Sequence, residues 1–341
     1  MRTGDTGAMR TFARVLPAIG LFFLAPLVAE FLLGDFPITM IAIVLILAPL
    51  YGGGAVLIRE IARRTGRGWP TILTLALAYG ILEEAFTTQT LFNPNYLGLH
   101  LHLLDHAFIP ALGIGGWWTI FVLTLHTVWS ISVPIALVES LVPARAERPW
   151  LGRIGLGAVS VLFALAAVAM TLNAIRQDRN HFVASHAQFL TAGFLCLTIA
   201  AAAFFLPVRI ATKRSGKPAN SWICGALVLA AGSIFLIVPP AWGWGAVAVF
   251  VLLDLAVGAA VVAWSGMKGW NQQHILALAG GAALAYAWHA FLQKPVMGRA
   301  DAVTRIGNAI LALATILLLA IAARKTSPTR GNLTVSGAQA E

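Results

Sequence analysis

Ten apolar stretches, each close to the length of a bilayer-crossing helix and closed by Pro, Gly or charged residues, recur along the chain. They run at about 12–33, 37–58, 69–91, 117–142, 154–175, 187–208, 222–238, 242–265, 274–293 and 306–323. So much apolar surface cannot be hidden inside a water-soluble globule. Of 341 residues, 59 % are hydrophobic, and 23 basic and 13 acidic side chains are left to meet water. The pattern predicts an all-α polytopic membrane protein of about ten transmembrane helices, one integral membrane domain over 1–341 with short tails at 1–11 and 324–341. Pro17, Pro26 and Glu30 interrupt the first stretch and no A-x-A site follows it, so it reads as an uncleaved span. Cys196 and Cys224 lie in apolar runs as small hydrophobes and imply no disulfide framework.

The net charge of +10 would point to nucleic acid in a soluble chain, so its placement decides what it means. With alternate loops on opposite sides, 18 Lys and Arg fall on one side, including Arg59, Arg63, Arg64, Arg67, Arg145 and Arg148. The other side holds 5: Arg176, Arg179, Lys294, Arg299 and Arg305. The positive-inside bias therefore predicts both termini in the cytoplasm of a cell-membrane protein surrounded by lipids, with no nucleic-acid partner. Segment 294–305 runs against the trend. The N-L-T triplet at Asn332 lies in the predicted cytoplasmic tail, where glycosylation is not expected.

Ionisable groups at membrane depth cost a few kcal/mol each and usually face a cavity or a partner. Glu30 and Glu139 lie near span ends, where a long side chain reaches an interface, and are read as structural. Glu83, Glu84 and Asp254 lie deeper. Glu83 and Glu84 are placed about 12 Å from the outer end of the third helix, and His126 about 13 Å into the fourth, at 1.5 Å per residue. The three thus occupy one layer on consecutive helices. Adjacent carboxylates in a low dielectric resist double ionisation, so one is expected to hold a proton while the other serves as a base, with the imidazole completing acid–base chemistry. The plainer alternative has the two acids, about 100° apart on a helix, hydrogen-bonding separate neighbours.

The predicted outer loop 92–116 carries His100, His102, Asp105 and His106. His102 and His106, at i and i+4, would share a helix face with zinc-ligand spacing, and Asp105 or His100 would add a ligand, leaving a divalent metal open as cofactor. An amphipathic stretch at the interface accounts for the same residues.

The EE pair at Glu83 and Glu84, followed 43 residues after Glu83 by His126 in the next helix, resembles the CAAX-protease and bacteriocin-processing (CPBP, or Abi) family of intramembrane endopeptidases. That family's pattern is EExxxR, then FxxxH, then Hxxx followed by Asn or Asp. Here Thr88 stands at the arginine position and Val122 at the phenylalanine position, and the nearest third element is His289 with Gln293. The similarity spans about residues 69–142, and a related glutamate-dependent intramembrane protease group shares the EE pair and later histidines. The resemblance implies Glu83 or Glu84 as general base, His126 as the group that binds or polarises water, and His289 with Gln293 at the developing oxyanion. Its natural substrate is a membrane-embedded peptide.

Two other classes compete. A secondary transporter with inverted 5+5 helices would pair Glu83, Glu84 and His126 with Asp254 and His289, with Gly52, Gly53, Gly54, Pro26, Pro49 and Pro134 breaking helices along a path. A noncatalytic membrane protein would use Trp117, Trp118, Trp242 and Trp244 as interfacial anchors. The discriminating question is spatial: whether His289, or Asp254, joins the two glutamates and His126.

Overall fold

The computed structural model describes residues 4–178, 181–207 and 215–327. Of the expected tails, residues 1–3 and 328–341, with Asn332 among them, lie outside the described residues, as do Arg179 and residues 208–214 of the basic loop.

The described residues form an all-α bundle of ten helical rods. α1 is Gly4–Pro26, prolonged by a π-helical segment Leu27–Leu32, and α2 is Ile38–Arg64, opening with a 3₁₀ turn. α3 is Trp69–Leu82, continued by a π segment Glu83–Thr87, and α4 is Gly116–Leu141, with a π segment His126–Ser132 at its centre. There follow α5 (Arg153–Gln177), α6 (His186–Ala202), α7 (Ser221–Ile237), α8 (Trp244–Ser265), α9 (Gln272–His289) and α10 (Ala302–Thr326). A two-stranded hairpin, Phe108–Ile109 against Ile114–Gly115, sits in the long loop before α4.

Six helices among the described residues are long and apolar enough to cross a membrane, with window hydropathies of 1.9 to 2.6. α5, α8 and α10 show apolar side chains outward along their length, as Leu165, Leu252 and Leu313 do. Such a perimeter suits hydrocarbon and not water. Inside it, one apolar cluster joins α1, α2, α3 and the end of α4, and a second joins α4 to α7, α8, α9 and α10.

The glycines of α2 do not break it. They let neighbours in: a Cβ at Gly52 would lie 1.9 Å from the Phe22 carbonyl oxygen of α1, and one at Gly54 would lie 2.5 Å from the Tyr79 ring of α3. The expected helix-breaking role is therefore corrected to one of close packing. Pro134 is likewise accommodated within α4, following the π segment His126–Ser132. Its missing N–H and ring remove the bond to Ser130, four residues back, which is where the helical ladder loosens.

Several boundaries differ from the sequence expectation, among them the start of α1 at Gly4 and the end of α6 at Ala202, and two of them shape the buried polar groups. α2 continues past 58 to Arg64 because its charged end is neutralised internally: Arg59 and Arg63 both reach Glu139 of α4, at 3.1 and 2.6 Å, and Arg59 also pairs with Glu60 at 2.8 Å. The Arg59 guanidinium lies 3.4 Å over the Trp150 ring, and Glu60 accepts from the Trp150 N–H at 2.7 Å. Glu139 is thus structural as expected, but fully buried in an ion network and not extended to an interface.

α3 stops at Thr87, not 91. Thr88 N–H bonds Glu83 O at 2.9 Å, and residues 88–93 turn back under the helix end with Gln89 at φ +59°. Buried Gln89 holds the turn by accepting from Ala184 N–H at 2.8 Å. Glu83 and Glu84 consequently lie in the last turn of α3, covered by this segment.

Candidate functional site

The three π-helical segments of the described chain carry Glu30, the Glu83–Glu84 pair and His126. A π turn inserts one residue into the helix and re-aims the side chains that follow, and such turns concentrate at functional sites. In α3 it lets two consecutive glutamates, 1 % and 5 % exposed, converge on one partner.

That partner is His126, 6 % exposed. Its Nε2 lies 2.8 Å from Glu84 Oε1, and its Nδ1 lies 3.2 Å from Glu83 Oε2. Each ring nitrogen therefore faces a different carboxylate, the shared layer that the sequence spacing predicted. Both acids face the imidazole, and Glu84 also takes the Thr88 hydroxyl, one of the local partners that the plainer alternative expects.

The two glutamates are held differently. Glu84 is tightly satisfied: beyond His126, its Oε2 accepts from the Thr90 hydroxyl and from Thr88 Oγ1 at 3.3 Å, and Thr90 in turn accepts from Trp118 Nε1 at 3.0 Å. Among the described residues, Glu83 Oε2 makes no hydrogen bond of good geometry, its close neighbour being His126 Nδ1 at 3.2 Å, and the buried Tyr79 hydroxyl, which lies near Glu83, makes none either. Ser130 Oγ, 3.1 Å from His126 Nδ1, helps to fix the imidazole from within its own π segment. The rings of Tyr51 and Tyr79 each lie 6.0 Å from the imidazole. Tyr51 reaches on to α1 and donates to Glu30 Oε1 at 2.5 Å.

Chemically, the arrangement is an oriented acid–base centre. One carboxylate (Glu84) fixes the imidazole, and a second (Glu83) faces the other ring nitrogen and keeps hydrogen-bonding capacity to spare beside the Tyr79 hydroxyl. The donor atoms of Glu83, Glu84 and His126 also lie within 4.8 Å of one another, close enough to hold a metal ion. On the side of α3 that packs on α5 and α6, an apolar cavity of about 460 Å³ is lined by Leu82, Phe86 and Thr87 with residues of those two helices, and none of Glu83, Glu84 and His126 lines it.

The other expected residues lie elsewhere. His289 ends α9 against Trp288, with its Nδ1 unpartnered, and is not part of the Glu83–Glu84–His126 group. Gln293 donates to Asp35 at 2.7 Å, so the expected oxyanion pair is not assembled here. The helix face expected for His102 and His106 does not form: His102 has φ +55°, its Nδ1 meets Asp105 Oδ2 at 2.7 Å in an exposed turn, and His106 packs against Trp117. Asp254 stays on the exposed side of α8, accepting from Thr124 at 2.9 Å, and does not join the centre.

Sequence reasoning missed Tyr51, Tyr79 and the Glu30 contact. Nothing in the spacing marks two tyrosines as polar, and Glu30 reads as an end residue until α2 is laid against α1.

A model of an uncharacterized membrane protein family matches residues 20–336 of the chain. No curated protein and no solved structure matches it.

Proposed function

The chain belongs to this uncharacterized membrane protein family, and we propose that it is a membrane-embedded hydrolase, an intramembrane endopeptidase in which Glu83, Glu84 and His126 activate water against a membrane-resident peptide. The observation that carries the reading is the imidazole set between two buried carboxylates, one held by several hydrogen bonds and one whose nearer oxygen meets only the ring, at 3.2 Å, with no well-formed hydrogen bond.

In this reading Glu83 is the base. A water against Glu83 Oε2 gives it a proton as the water oxygen attacks the peptide carbonyl carbon. His126, held by Glu84 and Ser130, donates a proton to the amine as the C–N bond breaks, and the proton on Glu83 returns to His126 across the 3.2 Å contact. Glu84 acts on His126 as an orienting carboxylate does in a hydrolytic triad. The unpartnered Tyr79 hydroxyl, and not His289, is the group placed to donate to the developing oxyanion. The apolar cavity beside Thr87 supports a substrate segment that arrives from lipid.

We read the ten rods as ten crossings of the cell membrane with both termini on the cytoplasmic side. Supporting this, arginines gather at one end of the bundle: Arg145 bonds Ala13 O and Arg14 O, and Arg64 bonds Leu151 O. Lys325 of α10 reaches Leu141 O of α4 at 3.0 Å, which puts the end of α10 at that same end.

The test compares the membrane peptidomes of cells carrying the wild-type chain and Glu83→Gln. A membrane peptide should lose its cleavage in the variant, with the processing rate falling about 100- to 10,000-fold, the usual worth of one acid–base group. Identical peptidomes, with the variant present at wild-type level, would overturn the proposal.

A further inference from the structure

The buried acids outnumber their cations. Glu83 and Glu84 share one imidazole, and among the described residues no lysine or arginine pairs with them or with the nearby Glu30 and Asp35. A base set among so many acids needs a route by which its proton reaches water. The arrangement of the remaining groups supplies an exit.

Tyr51 of α2 stands between Glu30 and Glu83, with its hydroxyl donated to Glu30 Oε1. Glu30 O accepts from Asp35 N–H at 3.0 Å, which folds the loop back so that Asp35, partly exposed at the 33–37 end of the bundle, comes within electrostatic reach of Glu30. The titratable groups that face Glu30 are Asp35 from the loop, Tyr51 from α2, Glu83 from α3, His126 from α4 and Tyr286 from α9. Four of these five form one series from the loop to the imidazole, alternating groups that both accept and donate.

We propose that Asp35, Glu30 and Tyr51 form a proton path between water at the 33–37 end of the bundle and the Glu83–His126–Glu84 centre. The polarity of the observed hydrogen bond fits outward release. Tyr51 Oη accepts the proton from Glu83 while its own O–H proton passes to Glu30, and Glu30 then gives a proton to Asp35 and so to water. One proton leaves Glu83, one enters the solvent, and each intermediate group ends as it began. The path sets the ionisation of Glu83 and deepens the hydrolytic reading, but proton exchange is measurable without cleavage.

The full chain in lipid vesicles is followed by infrared spectroscopy after a jump from H₂O to D₂O on the 33–37 side, reading deuteration of the buried carboxyl bands assigned with Glu83→Gln and Glu84→Gln. Glu30→Gln and Tyr51→Phe should each slow deuteration of the Glu83 band by about a hundredfold, the effect of losing one proton-transfer group. Asp35→Asn should slow it less, since water reaches that end. Exchange at the wild-type rate in a folded Tyr51→Phe protein overturns the path, whatever Glu30→Gln does to folding. If the path holds while no substrate is ever cleaved, hydrolysis fails and the proton path stands. If cleavage is found with exchange unaltered, the reverse is true.

Discussion

Glu83 and Glu84 are neighbours in the chain and opposites in chemistry, and the difference lies in what touches them. Glu84 has the Thr90 and Thr88 hydroxyls and one imidazole nitrogen, while Glu83 Oε2 has only the longer 3.2 Å contact to the other nitrogen. The pair was legible in the sequence as two acids with a histidine in one layer, but which acid is held and which is free was not, because the deciding hydroxyls come from a turn that reads as the continuation of α3. His289 was misassigned for a related reason: motif spacing runs along one dimension, whereas α9 delivers that ring beside Trp288. At the edge of the same acid series, burial pushes the Asp35 carboxyl up to about 6, opposed in part by the amide bond from Gln293. A carboxyl raised in the folded state is most compatible with folding below its unfolded value of about 3.8. Stability is then lost as pH climbs from there through about 6 and stays lower above. Asp35→Asn keeps an acceptor for Gln293 and removes the charge. In thermal unfolding the variant should gain on the wild type by up to about 3 kcal/mol at pH 8 and by nothing at pH 3, and an equal shift at both values would refute the assignment.

The elements were the most legible scale. Breakers at Pro, Gly and charged residues placed all ten rods, since an apolar run must end where the backbone or a charge meets water. Boundaries were less legible: α2 runs on to Arg64, because Arg59 and Glu60 look like a loop until Glu139 and Trp150 are brought to them. A buried network of this kind is fragile to the loss of one member, which leaves a charge unpaired. Glu139→Gln should therefore destabilise the protein by about 3–5 kcal/mol in denaturant titration, and a change below about 1 kcal/mol would mean that water reaches the arginines. Gly52→Ala sets a methyl against the Phe22 carbonyl of α1, a backbone atom that cannot swing away. It should cost more than Gly54→Ala, whose methyl meets only the Tyr79 ring, with overpacking of about 1–3 kcal/mol for the latter. Equal midpoints for the two variants would show that α1 and α2 are free to part. Of the π segments, those at Leu27–Leu32 and His126–Ser132 have a sequence signal in the neighbouring Pro26 and Pro134, whereas Glu83–Thr87 has none, because it depends on the buried turn after Thr87.

At the scale of the molecule, an apolar perimeter of α5, α8 and α10 surrounds an interior whose polar content is gathered in two places. One is the ion network where α2 ends, and the other is the acid series near the 33–37 turn, to which α1, α2, α3 and α4 each contribute. The first is paired in full and holds helices together. The second has few cations and, among the described residues, two oxygen atoms without a well-formed hydrogen bond, which is why the proposed function is set there. The composition that marks the chain as a membrane protein says nothing of that division, because it depends on which helices are neighbours. The most direct test is nitrogen NMR of the His126 ring in the intact protein in a lipid bilayer. The account predicts that both ring nitrogens are hydrogen-bonded, that Glu84→Gln shifts Nε2 and that Glu83→Gln shifts Nδ1. A ring whose nitrogens ignore both substitutions would contradict it.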